Sequence, residues 1–250
     1  MDSQQFYLEE GFPFQGRRLE KLKAFLTQTD LSYDSQIEYT ALFKTQDGQI
    51  AGCGSRHKNT LKCIAINPAF QGKGCLSLIM TQLLKNAASE RISHLFLFTK
   101  PLYLQMFSDM GFYSIMQTED MLLMENRKDG IREYLRQEAA LTPAYKGKKI
   151  GAIVMNANPF TNGHRYLVET AASFCDLLHV FVLSADSSEF PSDLRLELVK
   201  KGCADFANVQ IHGSSDYLIS AATFPDYFLK DKAYLLNLIV MRLIVLMTNV

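Results

Sequence analysis

The sequence lacks a CxxC cysteine pair, an excess of charge of either sign and a basic, apolar leader at its start. The five cysteines are scattered, which argues against a disulfide framework or a zinc site and favours buried free thiols in a reducing compartment. Basic and acidic residues balance at 26 each, so a broad surface for binding nucleic-acid phosphates is not expected. Residues 1–10 do not resemble a secretory signal, and we expect a cytoplasmic protein.

The first part of the chain, residues 1–145, predicts a mixed α/β domain. Helices are expected at 17–28, 75–90 and 103–110, and strands at 38–44, 49–55, 61–66, 94–99, 112–116 and 121–125. A charged helix at 127–140 follows, and then a loop at 141–149 that contains a proline, a glycine and three lysines. This change in composition predicts a domain boundary near residue 145.

The second part, residues 146–250, begins a new α/β pattern. Apolar strands at 150–156, 177–184 and 209–212 alternate with helices at 163–173 and 192–206. This alternation predicts a Rossmann-like parallel sheet. Ligands of such sheets lie beyond the carboxyl ends of the strands.

A polar turn at residues 156–164 lies where the first of these strands meets a helix. The free N–H groups and the dipole at a helix N-terminus favour phosphate binding. Gly163 would allow close approach of a ligand, Pro159 would stiffen the turn, and His164 could donate a hydrogen bond to developing charge. The side chains expected around this point are those of Asn156, Asn158, Thr161, Asn162 and His164. An ordinary polar turn with a surface histidine is the alternative interpretation.

The run Thr161-Asn162-Gly163-His164 resembles the first signature of the nucleotidyltransferase superfamily. The longer stretch MNANPFTNGHRYLVETAA, with the preceding domain, resembles the [citrate (pro-3S)-lyase] ligases over about residues 15–232. That family uses ATP and acetate to acetylate the thiol of a CoA-like prosthetic group on the citrate lyase acyl carrier protein, with release of AMP and pyrophosphate. The resemblance therefore implies ATP, Mg²⁺, acetate and this carrier protein, with neither nucleic acid nor a membrane as partner.

The resemblance also implies roles for particular residues. Thr161 and His164 would be catalytic and hold the ATP phosphates, with His164 stabilising the transition state at the α-phosphate. No protein metal ligand is implied. The other nucleotide-binding positions would be Asn156, Asn158, Pro159, Phe160, Gly163, Asp186, Ser188 and Arg195. Asp186 and the neighbouring serines could instead cap the helix that follows them.

In the first part, Gln71-Gly72-Lys73-Gly74 resembles the acyl-CoA pyrophosphate loop of GNAT acetyltransferases. The first domain is therefore expected to be GNAT-like, and this loop to bind the CoA-like group. Leu76 stands where that motif has Gly or Ala, so a GNAT-shaped scaffold that binds no acyl-CoA is the alternative. Tyr103 could protonate a leaving thiol, although the sequence favours a packed tyrosine.

The last residues, 233–250, are apolar with Arg242 near the middle. The resemblance is expected to stop near Lys232, and a second nucleotide signature of the family is not found. Three interpretations of this segment are a membrane anchor, a core helix and, preferred, an altered end that leaves the nucleotide domain incomplete. The functional alternatives are an acetyl-CoA-dependent acyltransferase and an inactive form that binds nucleotide or carrier protein.

Overall fold

The computed structural model describes residues 6–140, 147–183, 189–213 and 215–217. They belong to two compact units that divide between Lys128 and Asp129. The expected segment 233–250 lies outside the described residues, as does the predicted domain boundary at 145.

The first unit contains a seven-stranded sheet and three helices. Its strands are β1 (Tyr7–Gly11), β2 (Tyr39–Lys44), β3 (Ile50–His57), β4 (Thr60–Ile66), β5 (Phe96–Thr99), β6 (Tyr113–Gln117) and β7 (Leu122–Glu125). Its helices are α1 (Gly16–Gln28), α2 (Cys75–Ser89) and α3 (Leu104–Ser108), with short 3₁₀ turns at Pro68–Phe70 and Pro101–Tyr103.

The strand order of this sheet is β1-β2-β3-β4-β5-β7-β6. All neighbouring pairs are antiparallel except β4 and β5, which are parallel. Two hydrophobic clusters cover its faces, one built around Ile79 and Leu83 of α2 and the other around Leu22 and Leu26 of α1. The prediction of a mixed-sheet α/β domain is confirmed, and its GNAT-like character stays a prediction.

The second unit contains α4 (Gly130–Ala140), β8 (Ile150–Met155), α5 (Asn162–Ser173), β9 (Leu177–Val182), α6 (Ser192–Gly202) and β10 (Val209–Gly213). The sheet has the order β10-β9-β8 and is parallel throughout. The helices α5 and α6 pack on one face, where Val168 and Val199 join Val180 in a buried cluster. The predicted Rossmann-like parallel sheet is confirmed.

Helix α4 packs with the second unit rather than with the first. Its Glu138 contacts His212 of β10, at a distance of 2.5 Å between Oε2 and Nδ1, and its Tyr134 stacks on Tyr217. The assignment of residues 129–140 to the first domain therefore differs from the compact units of the structure. The extent of the two functional domains stays a prediction.

Three global features bear on the expectations from composition. All five cysteines have free thiols, and only Cys175 among them is not fully buried. Within the described residues, no three or more His, Cys, Asp or Glu side chains are grouped to hold a metal ion. In the same part of the chain, no helix has the length and apolar character needed to cross a membrane.

Candidate functional site

The polar turn lies at the carboxyl end of β8, as predicted. Asn156 follows the strand directly, Ala157 adopts a left-handed backbone with φ of 46°, and the Asn158–Pro159 peptide bond is cis. The Asn158 side-chain oxygen accepts a hydrogen bond of 3.0 Å from the backbone N–H of Phe190. The segment before α6 is thereby tied to the turn before α5, which brings the ends of β8 and β9 together.

His164 is held by the residue that begins its helix. Thr161 is the N-cap of α5, and its backbone N–H donates to Nδ1 of His164 at 3.1 Å. The Thr161 hydroxyl oxygen lies 2.8 Å from the same nitrogen. This is a capping box with histidine in the place that glutamate or glutamine usually takes. Because Nδ1 accepts, the neutral imidazole carries its hydrogen on Nε2, which is left as the donor.

The Phe160 ring supports His164 from beside it. The two ring centroids are 5.8 Å apart and the ring planes differ by 27°. Phe160 also lies directly against Gly202 at the end of α6, since a Cβ at Gly202 would come within 2.3 Å of Phe160 Cε1. The contacts of Phe160 show that it packs the turn against α6, and its expected role in shaping the nucleotide pocket stays a prediction.

Arg195 of α6 is completely buried, with 0% of its surface exposed. Its Nε donates to the Phe190 carbonyl at 3.0 Å, and Nη1 lies 2.6 Å from the carbonyl oxygens of Asn156 and Leu183. Nη1 is also 2.6 Å from the Asn156 side-chain oxygen. A buried guanidinium thus joins the ends of β8 and β9 to the segment before α6. Its predicted contact with nucleotide stays a prediction.

Gly163 has room for a Cβ within the described structure. A Cβ placed there would have Thr161 Oγ1 as its nearest neighbour, at 3.7 Å. Asn156, Pro159 and Thr161 are exposed near it in the chain. The turn therefore offers backbone and polar side chains to a ligand, at the N-terminus of a twelve-residue helix.

The structure brings most of the predicted nucleotide-binding residues to this one place. Those that it places at or behind the turn are Asn156, Asn158, Pro159, Phe160, Thr161, Gly163, His164 and Arg195. Asp186 and Ser188 lie outside the described residues. Whether each residue binds nucleotide stays a prediction.

The loop predicted to bind the CoA-like group lies in the first unit, before α2. Gly72 and Gly74 have φ of 73° and 81°, and a Cβ at either would meet nothing within 4 Å. Lys73 Nζ lies 5.2 Å from the centroid of Phe70. Leu76, which stands where the motif has Gly or Ala, is half-buried and packs against the hydrophobic core. All four residues of the loop, including Gln71, are exposed.

The Tyr103 side chain is more exposed than the sequence predicts. The sequence favoured a packed tyrosine, but 39% of Tyr103 is exposed. It lies in the 3₁₀ turn before α3 and is the N-cap of that helix. Its suggested role in protonating a thiol stays a prediction.

A buried polar chain in the second unit escaped the sequence analysis. His179 Nδ1 lies 2.7 Å from His212 Nε2, and His212 in turn contacts Glu138. Both histidines are 3% exposed. Burial, and next the neighbouring His212, lower the pKa of His179 to about 4. The available signal was a histidine inside each of two apolar strands.

The chain is similar in sequence to one family of known proteins. The family described as "Citrate lyase ligase C-terminal domain" matches residues 150–246. The matched segment begins with β8 and runs past Lys232, where the resemblance was expected to stop. The [citrate [pro-3S]-lyase] ligase of Klebsiella pneumoniae is 46% identical over 216 residues, covering 86% of this chain and 62% of that protein. This chain is a homologue of the citrate lyase ligases.

A second ligase homologue, from Escherichia coli (strain K12), is 40% identical over 220 residues, which cover 88% of this chain and 62% of that protein. The chain thus spans about three-fifths of the length of these curated relatives. Both relatives are named as ligases.

Two solved structures that are similar to part of the chain are named as acyltransferases. An acyl-CoA N-acyltransferase from Pseudomonas aeruginosa covers 49% of this chain and 99% of its own, at 12% identity and a TM-score of 0.42. A GNAT-family acetyltransferase from Staphylococcus aureus MU50 covers 49% and 100%, at 12% identity and a TM-score of 0.40. These similarities are too weak to indicate an activity.

Proposed function

We propose that this ligase homologue activates acetate with ATP and passes the acetyl group to a thiol on the citrate lyase acyl carrier protein. The observation that carries the proposal is the His164 imidazole held by Thr161 at the start of α5. This arrangement lies inside the segment that matches the citrate lyase ligase family. It supplies a fixed donor beside a helix N-terminus, which suits charge that develops on a phosphate.

The proposed reaction has two steps. An acetate oxygen attacks the α-phosphorus of ATP, the bond from that phosphorus to the bridging oxygen breaks, and pyrophosphate leaves with the bonding electrons. The thiolate of the CoA-like group then attacks the acetyl carbon. The bond between that carbon and the AMP oxygen breaks, AMP leaves, and the thiol proton is released to solvent. The products are the acetyl thioester, AMP and pyrophosphate.

The residues of the turn would have different roles in the first step. His164 would donate from Nε2 to an α-phosphate oxygen as negative charge grows there, and the N–H groups that begin α5 would face the phosphates. Gly163 would let the phosphates approach the backbone, because its Cβ position is open. Thr161 would act through the orientation of His164 as well as by its own hydroxyl.

The remaining predicted pocket residues enter the proposal as walls of the nucleotide site. Asn156 and Asn158 would line it directly, and Asp186 and Ser188 would do so from the segment after β9. Arg195 would hold the ends of β8 and β9 in place, and its buried positive charge would attract the phosphates. Mg²⁺ would arrive bound to ATP, where it offsets the triphosphate charge, and no protein ligand is assigned to it.

The loop before α2 would receive the CoA-like group of the carrier protein. Its support is the pair of left-handed glycines, Gly72 and Gly74, which expose the loop backbone at the start of a fifteen-residue helix. Calorimetry of the full chain with CoA as the probe tests this part. Lys73→Gln should weaken binding, whereas Lys85→Gln, an exposed lysine on the same helix, should leave it unchanged. Equal affinities of the two variants would contradict the assignment.

Acetate-dependent release of pyrophosphate from ATP tests the function as a whole. The full chain, with ATP, Mg²⁺ and acetate, should release pyrophosphate, and hydroxylamine should trap the activated acyl group as acetohydroxamate. A folded chain that forms neither product, but acetylates a thiol from acetyl-CoA without ATP, would replace the proposal by an acyltransferase. A folded chain that binds ATP without either reaction would leave a nucleotide-binding protein.

A further inference from the structure

Arg165, the residue after His164, directs its side chain to the far end of α6. Its two terminal nitrogens contact the two carboxylate oxygens of Asp205, Nη1 at 2.9 Å from Oδ1 and Nη2 at 2.5 Å from Oδ2. Nη1 also donates to the Gly202 carbonyl. The guanidinium lies over the Phe206 ring, 4.7 Å from its centroid. A planar guanidinium in such a two-point contact has one defined orientation.

Gly202 receives contacts from both sides of the turn. Arg165 donates to its carbonyl oxygen, and the Phe160 ring fills the space that a Cβ would take. Phe160 stacks on His164, which is joined to Arg165 through the chain. The contacts therefore close a ring that runs from His164 through Phe160, Gly202 and Arg165 back to His164.

We infer that Arg165 is a positioning residue for the proposed adenylation, and that it acts with Asp205 by fixing the imidazole of His164. The Thr161 contact sets which nitrogen of His164 donates, while the Phe160 face sets the plane of the ring. Arg165 and Asp205 fix that face because they lock Gly202 beneath it. A shift of about 1 Å in a catalytic group can cost on the order of a hundredfold in rate. The inference rests on the proposed function.

Kinetics of the full chain separate this role from direct phosphate binding. Asp205→Asn and Arg165→Lys each lose the two-point ion pair, so kcat for pyrophosphate release should fall by about tenfold or more while KM for ATP changes by less than about threefold. Glu197→Gln is the matched control, because it removes an exposed ion pair with Lys201 on the same helix and should leave both constants unchanged. Wild-type kcat in Asp205→Asn would overturn the inference. So would a raised KM for ATP in Arg165→Lys alone, because this would indicate that Arg165 binds phosphate itself.

Nuclear magnetic resonance tests the same inference without any turnover. In the free wild-type chain, the ¹⁵N shifts of His164 should show a hydrogen on Nε2, and its ring protons should carry the shift caused by Phe160. Asp205→Asn should move these ring-proton signals toward those of an unstacked histidine, and Glu197→Gln should not. Unmoved signals in Asp205→Asn would refute the positioning role. If these signals move in Asp205→Asn but the wild-type chain releases no pyrophosphate, the effect of Asp205 on the His164 ring stands and the proposed function is refuted instead.

Discussion

Acidification should destabilise the second unit through His179. This residue lies against His212, which contacts Glu138, and only one proton fits between two ring nitrogens 2.7 Å apart. Its pKa is lowered from 6.5 to about 4 in the folded chain, first by burial and then by His212. The unfolded chain therefore binds a proton at His179 before the folded chain does. The contribution of the neutral His179 side chain to the free energy of unfolding is present above about pH 6.5. It is lost as the pH falls toward 4.

The size of this effect follows from the two pKa values. Relative to neutral pH and above, protonation linked to His179 should lower the free energy of unfolding by about 1 kcal/mol at pH 5.5 and by about 3 kcal/mol near pH 4. Because the chain contains no tryptophan, denaturant unfolding is best followed by circular dichroism. His179→Gln keeps a polar side chain opposite His212 and removes the titration.

The variant is compared with the wild-type chain across the same pH range. The free energy of unfolding should fall more steeply below pH 6.5 in the wild-type chain, by the amounts given above. Titration of the groups that do not contact His179 is common to the two proteins and cancels in their difference. Parallel pH profiles, within about 0.5 kcal/mol, would refute the assignment of a buried neutral histidine.

Three further predictions concern the turn and its support. Gly163→Ala should stabilise α5 slightly, by up to about 0.5–1 kcal/mol, since its Cβ would meet nothing closer than 3.7 Å. The same variant should weaken ATP binding measured by calorimetry. An unchanged affinity for ATP would contradict close approach of the phosphates to the backbone. Gly202→Ala should destabilise by about 1–3 kcal/mol in thermal unfolding, because its Cβ would overlap Phe160, and a wild-type Tm would contradict that contact. Arg195→Met should lower the free energy of unfolding by about 3–5 kcal/mol, because the carbonyls of Asn156, Leu183 and Phe190 lose their donor. A loss below about 1 kcal/mol would show that Arg195 does not join these segments.

The strand–turn–helix unit at residues 150–173 could be predicted from sequence because its signals are local. An apolar run, a turn with proline and glycine, and a polar N-cap residue all lie within a few positions of each other. The contact between Thr161 and His164 is equally local, since these residues are three positions apart and face each other at the start of a helix.

Features that depend on distant contacts could not be predicted in this way. Helix α4 was grouped with the first domain because its tie to the second unit, Glu138 to His212, joins residues 74 positions apart. The complete burial of Arg195 was hidden for the same reason, because an arginine on a short helix is usually solvent-exposed. Edge strand β1 was missed because it is largely exposed and shows no alternation of apolar residues.

Strand β1 is held in place by strand pairing and polar side-chain contacts instead of an alternating hydrophobic face. Glu9 pairs with Lys44 of β2 and with Arg18 of α1, and Glu10 accepts a hydrogen bond of 2.7 Å from the Tyr39 hydroxyl of β2. Charged side chains on an edge strand also disfavour pairing with another molecule. A strand of this kind is recognised from its partner rather than from its own sequence.

The claim that His164 donates to the reacting phosphate can be tested most directly with the variants His164→Gln and His164→Ala. Glutamine at this position can keep the bond from the Thr161 N–H, because it is a usual partner in a capping box, whereas alanine should lose about 1 kcal/mol of stability with that cap. Acetate-dependent pyrophosphate release should fall by about a hundredfold or more in both variants, with ATP affinity changed far less. Release at the wild-type rate by folded His164→Gln would contradict the account.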